Sequence, residues 1–304
     1  MRKTEDLEIG IMVRPALLPV KESFRRLRAF GLRHCQFAGI PDSYLYGKEG
    51  YQNTSELKKL MEDQKIASCS VFCSFPGQDW EHARETVGLT PPETRAERIA
   101  RACRTADWAK EMGIEQIAVH VGYLPEDLES GNYQSFIRAM QGFTRLLESN
   151  GQVLAYETGQ EPLDKLIRTM NDVGTPNQRI NFDPANLLYY NNNDPMDFVE
   201  ALSSRIVHIH CKDAVRPLPG AEFGHETRLG EGKTNFPNLF RRLYEKGYRG
   251  PLTIEREIGE GKELDRDIRN AILLLNKLKQ DCAASSDASS DASSDASSSL
   301  CSPQ

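Results

Sequence analysis

The chain has no CxxC pair, and its seven cysteines (Cys35, Cys69, Cys73, Cys103, Cys211, Cys282, Cys301) are odd in number and irregularly spaced. That pattern argues against a disulfide framework and a redox dithiol, so free thiols in a reducing cytoplasm are expected. No basic block occurs and the net charge is -6, so nucleic acid is not an expected partner. No apolar run approaches the ~20 residues of a membrane span. The opening "MRKTEDLEIG" lacks the apolar core of a signal peptide. A glycine-rich first turn is missing from "IGIMVRPALLP", which argues against a doubly wound nucleotide-binding sheet. The repeat "SSDASSDASSDASSS" has no apolar residue larger than alanine. Such a segment cannot bury enough surface to offset its ordering entropy, so 281–304 is expected to be a low-complexity disordered tail.

What remains, 1–280, alternates short apolar runs with amphipathic stretches. The expected strands are 7–13, 34–39, 66–73, 114–122, 152–158, 179–184, 205–213 and 251–257. Helical patterns such as "VKESFRRLRAFG", "PLDKLIRTMNDVG" and "NLFRRLYEKG" follow them, several closing on glycine as helices often do. Eight strands, each followed by a helix, are the signature of an α/β (β/α)8 TIM barrel. Active sites of such barrels lie at the C-terminal ends of the strands and in the loops that follow.

Four consecutive strands end in polar residues: "LAYET", "INFDPAN", "IVHIHCKD" and "LTIERE". Side chains alternate faces along a strand. Ala155 goes with Glu157, Asn181 with Asp183, His208 with His210, and Thr253 with Glu255 and Glu257. With those faces inward, Glu, Asp, His and Glu meet at one rim. Three carboxylates in a barrel mouth repel one another unless a cation compensates. Three oxygen donors and one imidazole suit Mn²⁺, Mg²⁺ or Co²⁺ better than a structural zinc. Taken singly, each of these residues could equally be a strand-end residue with a local partner.

"LAYETGQ", "NFDPAN", "HIHCKDAV" and "RLGEGKTNFPNLFRRLYEKGYRGPLTIERE" resemble the xylose-isomerase-like TIM-barrel superfamily, in particular its sugar phosphate isomerase/epimerase branch. The resemblance covers the whole barrel and is strongest over 150–258. It implies one divalent metal, Mn²⁺ first, with Mg²⁺, Co²⁺ or Zn²⁺ as alternatives. The family's four ligands map onto Glu157, Asp183, His210 and Glu255. The family's His-to-Arg spacing of six is matched by His210 and Arg216. The implied reaction is proton abstraction next to a carbonyl through a metal-stabilised enediolate, with Glu157 and Glu255 as acid and base. His208, one layer deeper on the same strand, is expected to be a buried support residue.

By the same analogy His120, Asn186, Lys212 and Arg216 are substrate-binding candidates, with the Lys212–Asp213 pair facing the substrate. Asn186 stands three after the metal Asp, where ketose 3-epimerases carry a catalytic histidine. That departure leaves a lyase or dehydratase on a keto-sugar or 3-oxo-glycoside as the alternative to an isomerase or epimerase. A repair phosphodiesterase would need many more than six histidines. A metal-free sugar-binding module is the non-enzymatic alternative. Loop aromatics Tyr44, Tyr46, Phe75 and Trp80 could stack on sugar, while His225 and Glu231 are expected to shape the "RLGEG" turn. The expected partner is a small carbohydrate, without nucleic acid or membrane, in a homodimer or homotetramer.

Overall fold

The computed structural model describes residues 6–80 and 82–298, with side chains described to 285. The barrel strands are β1 (Ile9–Val13), β2 (His34–Ala38), β3 (Ser70–Phe72), β4 (Gln116–Val119), β5 (Val153–Glu157), β6 (Gln178–Phe182) and β7 (Ile206–Cys211). After them come β8 (Asp213–Val215) and β9 (His225–Thr227), outside the barrel, and β10 (Leu252–Ile254), which closes it. All eight barrel pairings are parallel, in the order β1-β10-β7-β6-β5-β4-β3-β2. A parallel strand is covered on both faces, which is why these segments are nearly continuously buried.

Helices cover the outside. The segment Leu163–Val173 buries Leu166, Thr169, Met170 and Val173, at the spacing of one helical face, and ends on Gly174 in the left-handed region. The segment Phe236–Glu245 buries Phe236, Leu239, Phe240 and Leu243 in the same way. The last helix, Lys262–Ser298, packs through Leu264, Ile268, Ala271, Leu275, Leu278 and Cys282. Its backbone therefore runs past the expected boundary at 280, and Cys282 is its last buried side chain among the described residues. The tail expected from 281 falls largely on residues whose side chains, and from 299 whose backbone, lie outside the described residues. No helix of the described residues is long and apolar enough to cross a membrane.

Two departures from the expected strands bear on the site. The expected strand 205–213 breaks at Lys212 into β7 and β8, and β8 pairs antiparallel with β9. Asp213 makes that corner. Its Oδ1 accepts from Thr234 N and Oγ1 and from Ala214 N, and its Oδ2 accepts from Gly230 N and Gly232 N, all within 3.1 Å. A Cβ at Gly232 would sit 2.1 Å from Asp213 Oδ1, so glycine is required there. The second departure is a register shift between β6 and β7, which sets Asn181 opposite His208.

Candidate metal centre and active site

The carboxylates of Glu157 (end of β5), Asp183 (just past β6) and Glu255 (just past β10) converge on His210 of β7. All four residues are buried, and their ligand atoms lie within 4.8 Å of one another. His210 Nδ1 is 2.9 Å from Glu157 Oε1, 3.0 Å from Glu255 Oε2 and 3.6 Å from Asp183 Oδ2. Yet Nδ1 and Asp183 Oδ2 are both buried without a hydrogen-bond partner. Asp183 is divided in its work. Its Oδ1 caps the short helix Pro184–Tyr189, accepting from Ala185 N and Asn186 N, which leaves Oδ2 free to aim at the cluster.

The local electrostatics call for a cation. Burial alone would lower the His210 imidazole, but Glu157 and Glu255 outweigh it and hold it well above its ordinary value. Burial would raise Glu255, but Lys212, His210 and Arg14 hold it well below the usual carboxylate range. Burial would also lower Lys212, and Glu255, Glu257 and Asp183 hold it up instead. Three oxygen donors and one imidazole nitrogen, two of these four atoms buried without a hydrogen-bond partner, fit a hard or borderline divalent ion. Such an ion would replace the imidazole proton as the local positive charge.

The imidazole is oriented from behind. Gln36 Oε1 lies 2.6 Å from His210 Nε2, and the Gln36 amide donates to Ser70 Oγ at 2.8 Å. A carbonyl oxygen can only accept, so Nε2 holds a hydrogen toward Gln36, with the Asn181 amide nitrogen 3.1 Å away, and an ion that displaced the second ring proton would meet the Nδ1 lone pair. His208, the other histidine of β7, is placed differently. Its Nε2 meets Thr253 Oγ1 at 2.7 Å and its Nδ1 meets Gln116 Oε1 at 3.2 Å. Burial and the neighbouring His210 and His34 hold its pKa well below the ordinary value, so it is neutral.

A cavity of about 570 Å³ opens above the cluster. His120, Asn186 and Lys212 line it. His120 Nε2 is 3.5 Å from Glu157 Oε2, and its ring meets Phe72 and Trp80 edge-on. Asn186 Nδ2 donates to Thr158 O. Lys212 Nζ is 2.6 Å from Glu257 Oε2 and 3.5 Å from Glu255 Oε2. Arg216 is not brought to this cavity. The β8 strand carries it outward, where it donates to Asn191 Oδ1 and Asn193 O beside a different pocket. Asp213 likewise turns from the expected substrate side to the loop it clasps. Phe75 and Trp80 line the cavity, whereas Tyr44 lines a separate pocket and Arg104 lies over Tyr46.

Two charged lining residues escaped the sequence reading. Arg14, one residue past β1, donates to Glu255 Oε1 at 2.7 Å. The rule applied to the other strand ends would have found it. Glu226 reaches the cavity from β9 and accepts from Arg256 and from Glu257 N. A three-residue polar strand leaves no sequence signal for it.

Comparison with known proteins gives a consistent picture. The family model described as xylose isomerase-like TIM barrel matches residues 24–278. A solved xylose isomerase domain protein from Planctomyces limnophilus is 29% identical, with a TM-score of 0.84 over 91% of this chain and 99% of that chain. An uncharacterised protein of Methanocaldococcus jannaschii is 29% identical over 248 residues, 76% of each chain. The inosose dehydratase of Clostridium beijerinckii is 27% identical over 129 residues, 37% of this chain and 43% of that enzyme.

Proposed function

The chain belongs to the xylose isomerase-like TIM-barrel family, and from that premise we propose that it is a divalent-metal-dependent sugar isomerase or epimerase. The observation that carries this reading is the buried cluster of Glu157, Asp183, His210 and Glu255 with its two orphaned atoms. A bound divalent ion supplies Lewis-acid polarisation of a carbonyl and its neighbouring hydroxyl. The chain supplies the proton chemistry. Glu157 and Glu255 both line the cavity, reaching it from the ends of β5 and β10, so two carboxylates are at hand for a sugar bound there. One glutamate takes the proton next to the carbonyl, leaving an enediolate, and the other returns it to a neighbouring position or opposite face. Arg14 fixes Glu255 by its Oε1. Lys212 and Asn186 offer N–H groups to sugar oxygens. Asp183 and His210 act as ligands only.

Metal analysis of the purified protein, followed by solvent-deuterium incorporation into keto-sugars, tests this. We expect metal-dependent exchange at the carbon next to the carbonyl. Glu157→Gln and Glu255→Gln should each slow it by about 10³-fold with the fold retained. Substantial exchange in both variants, or no divalent ion bound, overturns the reading. A second reading, a lyase or dehydratase through the same enediolate, is supported by Asn186 and by the likeness to inosose dehydratase. Release of water or of a leaving group in place of a rearranged sugar would select it.

A further inference from the structure

We propose that the chain carries a second ligand site, away from the metal cluster, in which Arg216 and Lys233 hold a phosphate group, as the free ion or as a phosphate monoester. It goes beyond the isomerase reading and does not depend on it.

The site is a cavity of about 420 Å³. Arg216 and Lys233 line it, with Asn235 and Asn238 beside them. None of its lining residues borders the barrel-mouth cavity. A divalent ion held by the four-residue cluster therefore belongs to a different set of charges. At no more than about 30 Å³ for each heavy atom, a phosphate ion needs less than about 150 Å³. The rest of the cavity admits part of an attached organic group.

The two cations here differ from those at the barrel mouth. Arg14 and Lys212 are committed to carboxylates, as are Arg228 and Arg256. Arg216 donates instead to neutral oxygens, Nη1 to Asn191 Oδ1 and Nη2 to Asn193 O, both at 2.8 Å. Those two bonds steady the guanidinium and leave its other N–H groups available. The Lys233 ammonium has no partner among the described residues. Asp194 is the acidic residue in the lining, and its Oδ1 already accepts from Met196 N. Two cations against one carboxylate leave a positive surplus, which an anion would neutralise.

The backbone sets the pair in place. Lys233 N donates to Ala214 O at 2.8 Å, two residues before Arg216 on the same strand. On either side of Lys233, Gly232 N and Thr234 N donate to the Asp213 carboxylate. Both cations thus leave one clasped corner, and both are exposed, so a ligand enters from solvent. A planar guanidinium matches two phosphate oxygens, and an ammonium adds a point charge. The Asn235 and Asn238 amides offer neutral donors at the same wall. Arg216, expected from its spacing after His210 to meet the substrate, serves this separate anion instead.

The test is calorimetric titration of the metal-loaded full chain with inorganic phosphate and with glucose 6-phosphate, repeated after the metal is chelated. We expect one saturable phosphate site per chain, unchanged by chelation. Arg216→Gln should weaken it tenfold or more, and Lys233→Gln about threefold. A threefold or greater preference for glucose 6-phosphate identifies a monoester as the ligand. Equal or tighter binding of inorganic phosphate identifies the free ion. No saturable binding of either compound below about 10 mM overturns the proposal. So does binding that disappears with the metal, which would place the phosphate on the ion, or affinity within twofold of the parent in folded Arg216→Gln. Should Arg216→Gln fail to fold, Lys233→Gln decides alone, since its side chain has no partner to lose, and undiminished affinity there overturns the site.

Discussion

His210 and His208 stand two residues apart on one strand, both buried, both facing the barrel interior, and their surroundings are opposite. Around His208 every polar atom is answered: Thr253 on one ring nitrogen and Gln116 on the other. Around His210 three carboxylates crowd one nitrogen, and that nitrogen and Asp183 Oδ2 have no hydrogen-bond partner. A layer with all its hydrogen bonds made stabilises a fold. A buried layer with surplus negative charge costs stability unless a ligand completes it. Burial is the same in both, so the difference lies in how far the polar groups are satisfied. That difference separates support from site.

The sharpest way to break this comparison is to remove each imidazole in turn. His210→Ala should abolish stoichiometric divalent-metal binding, a loss of 10³-fold or more, while the metal-free protein keeps a cooperative melt. His208→Ala should retain metal binding and lose about 3 kcal/mol of stability, since it strands the Thr253 hydroxyl and opens a cavity. Equal losses of metal by both variants would erase the distinction between the layers. Calorimetric metal titration and denaturant unfolding measure the two quantities separately.

Glu161 extends the comparison to a carboxyl outside both layers. It is 1% exposed, with the backbone N–H groups of Gly159 and Glu161 beside its carboxyl. Burial, with Glu157 adding to it, raises its pKa to about 8. An unfolded glutamate titrates near ~4.3. Between those values the folded chain binds more protons than the unfolded one, so this group's contribution falls as pH rises through the window. Glu161→Gln should therefore be neutral below about pH 4 and increasingly stabilising up to about pH 8, by at most about 5 kcal/mol there. A gain that does not vary between pH 5 and pH 8 would show that ionisation of this carboxyl is not the cause.

The barrel was legible because each strand is buried on both faces and each helix on one, which writes the period directly into the residues. Its strand ends were not. The expected 114–122 and 251–257 overshoot Gln116–Val119 and Leu252–Ile254, because Val121 in the first and the alternating Glu255 and Glu257 in the second continue the strand pattern past the last ladder residue. The four cluster residues could be placed together because each sits at the end of a regular strand, where alternation fixes the inward face. Arg216 could not be placed by counting from His210, since the corner at Asp213 redirects the chain after Lys212. Gln36 was missed for another reason. An amide in the middle of "HCQFAG" gives no sign of which strand across the barrel it faces.

Gln36 joins the two layers and gives the smallest and most discriminating test. Its oxygen meets His210 Nε2 at 2.6 Å, and its amide reaches Ser70 Oγ at 2.8 Å and Asn181 Oδ1 at 3.5 Å. Were the amide only filling space among satisfied polar groups, Gln36→Leu would cost stability and leave metal affinity alone. If it holds the hydrogen on Nε2, the same change lets a ring that gives up one proton keep the other on Nδ1, and metal affinity should fall about tenfold. Gln36→Glu separates these outcomes further. A carboxylate still accepts from Nε2–H and should recover the affinity, even though the added charge lowers stability. Calorimetric titration of both variants with Mn²⁺, alongside their metal-free melts, shows whether affinity follows the acceptor at Nε2 or only the packing around it.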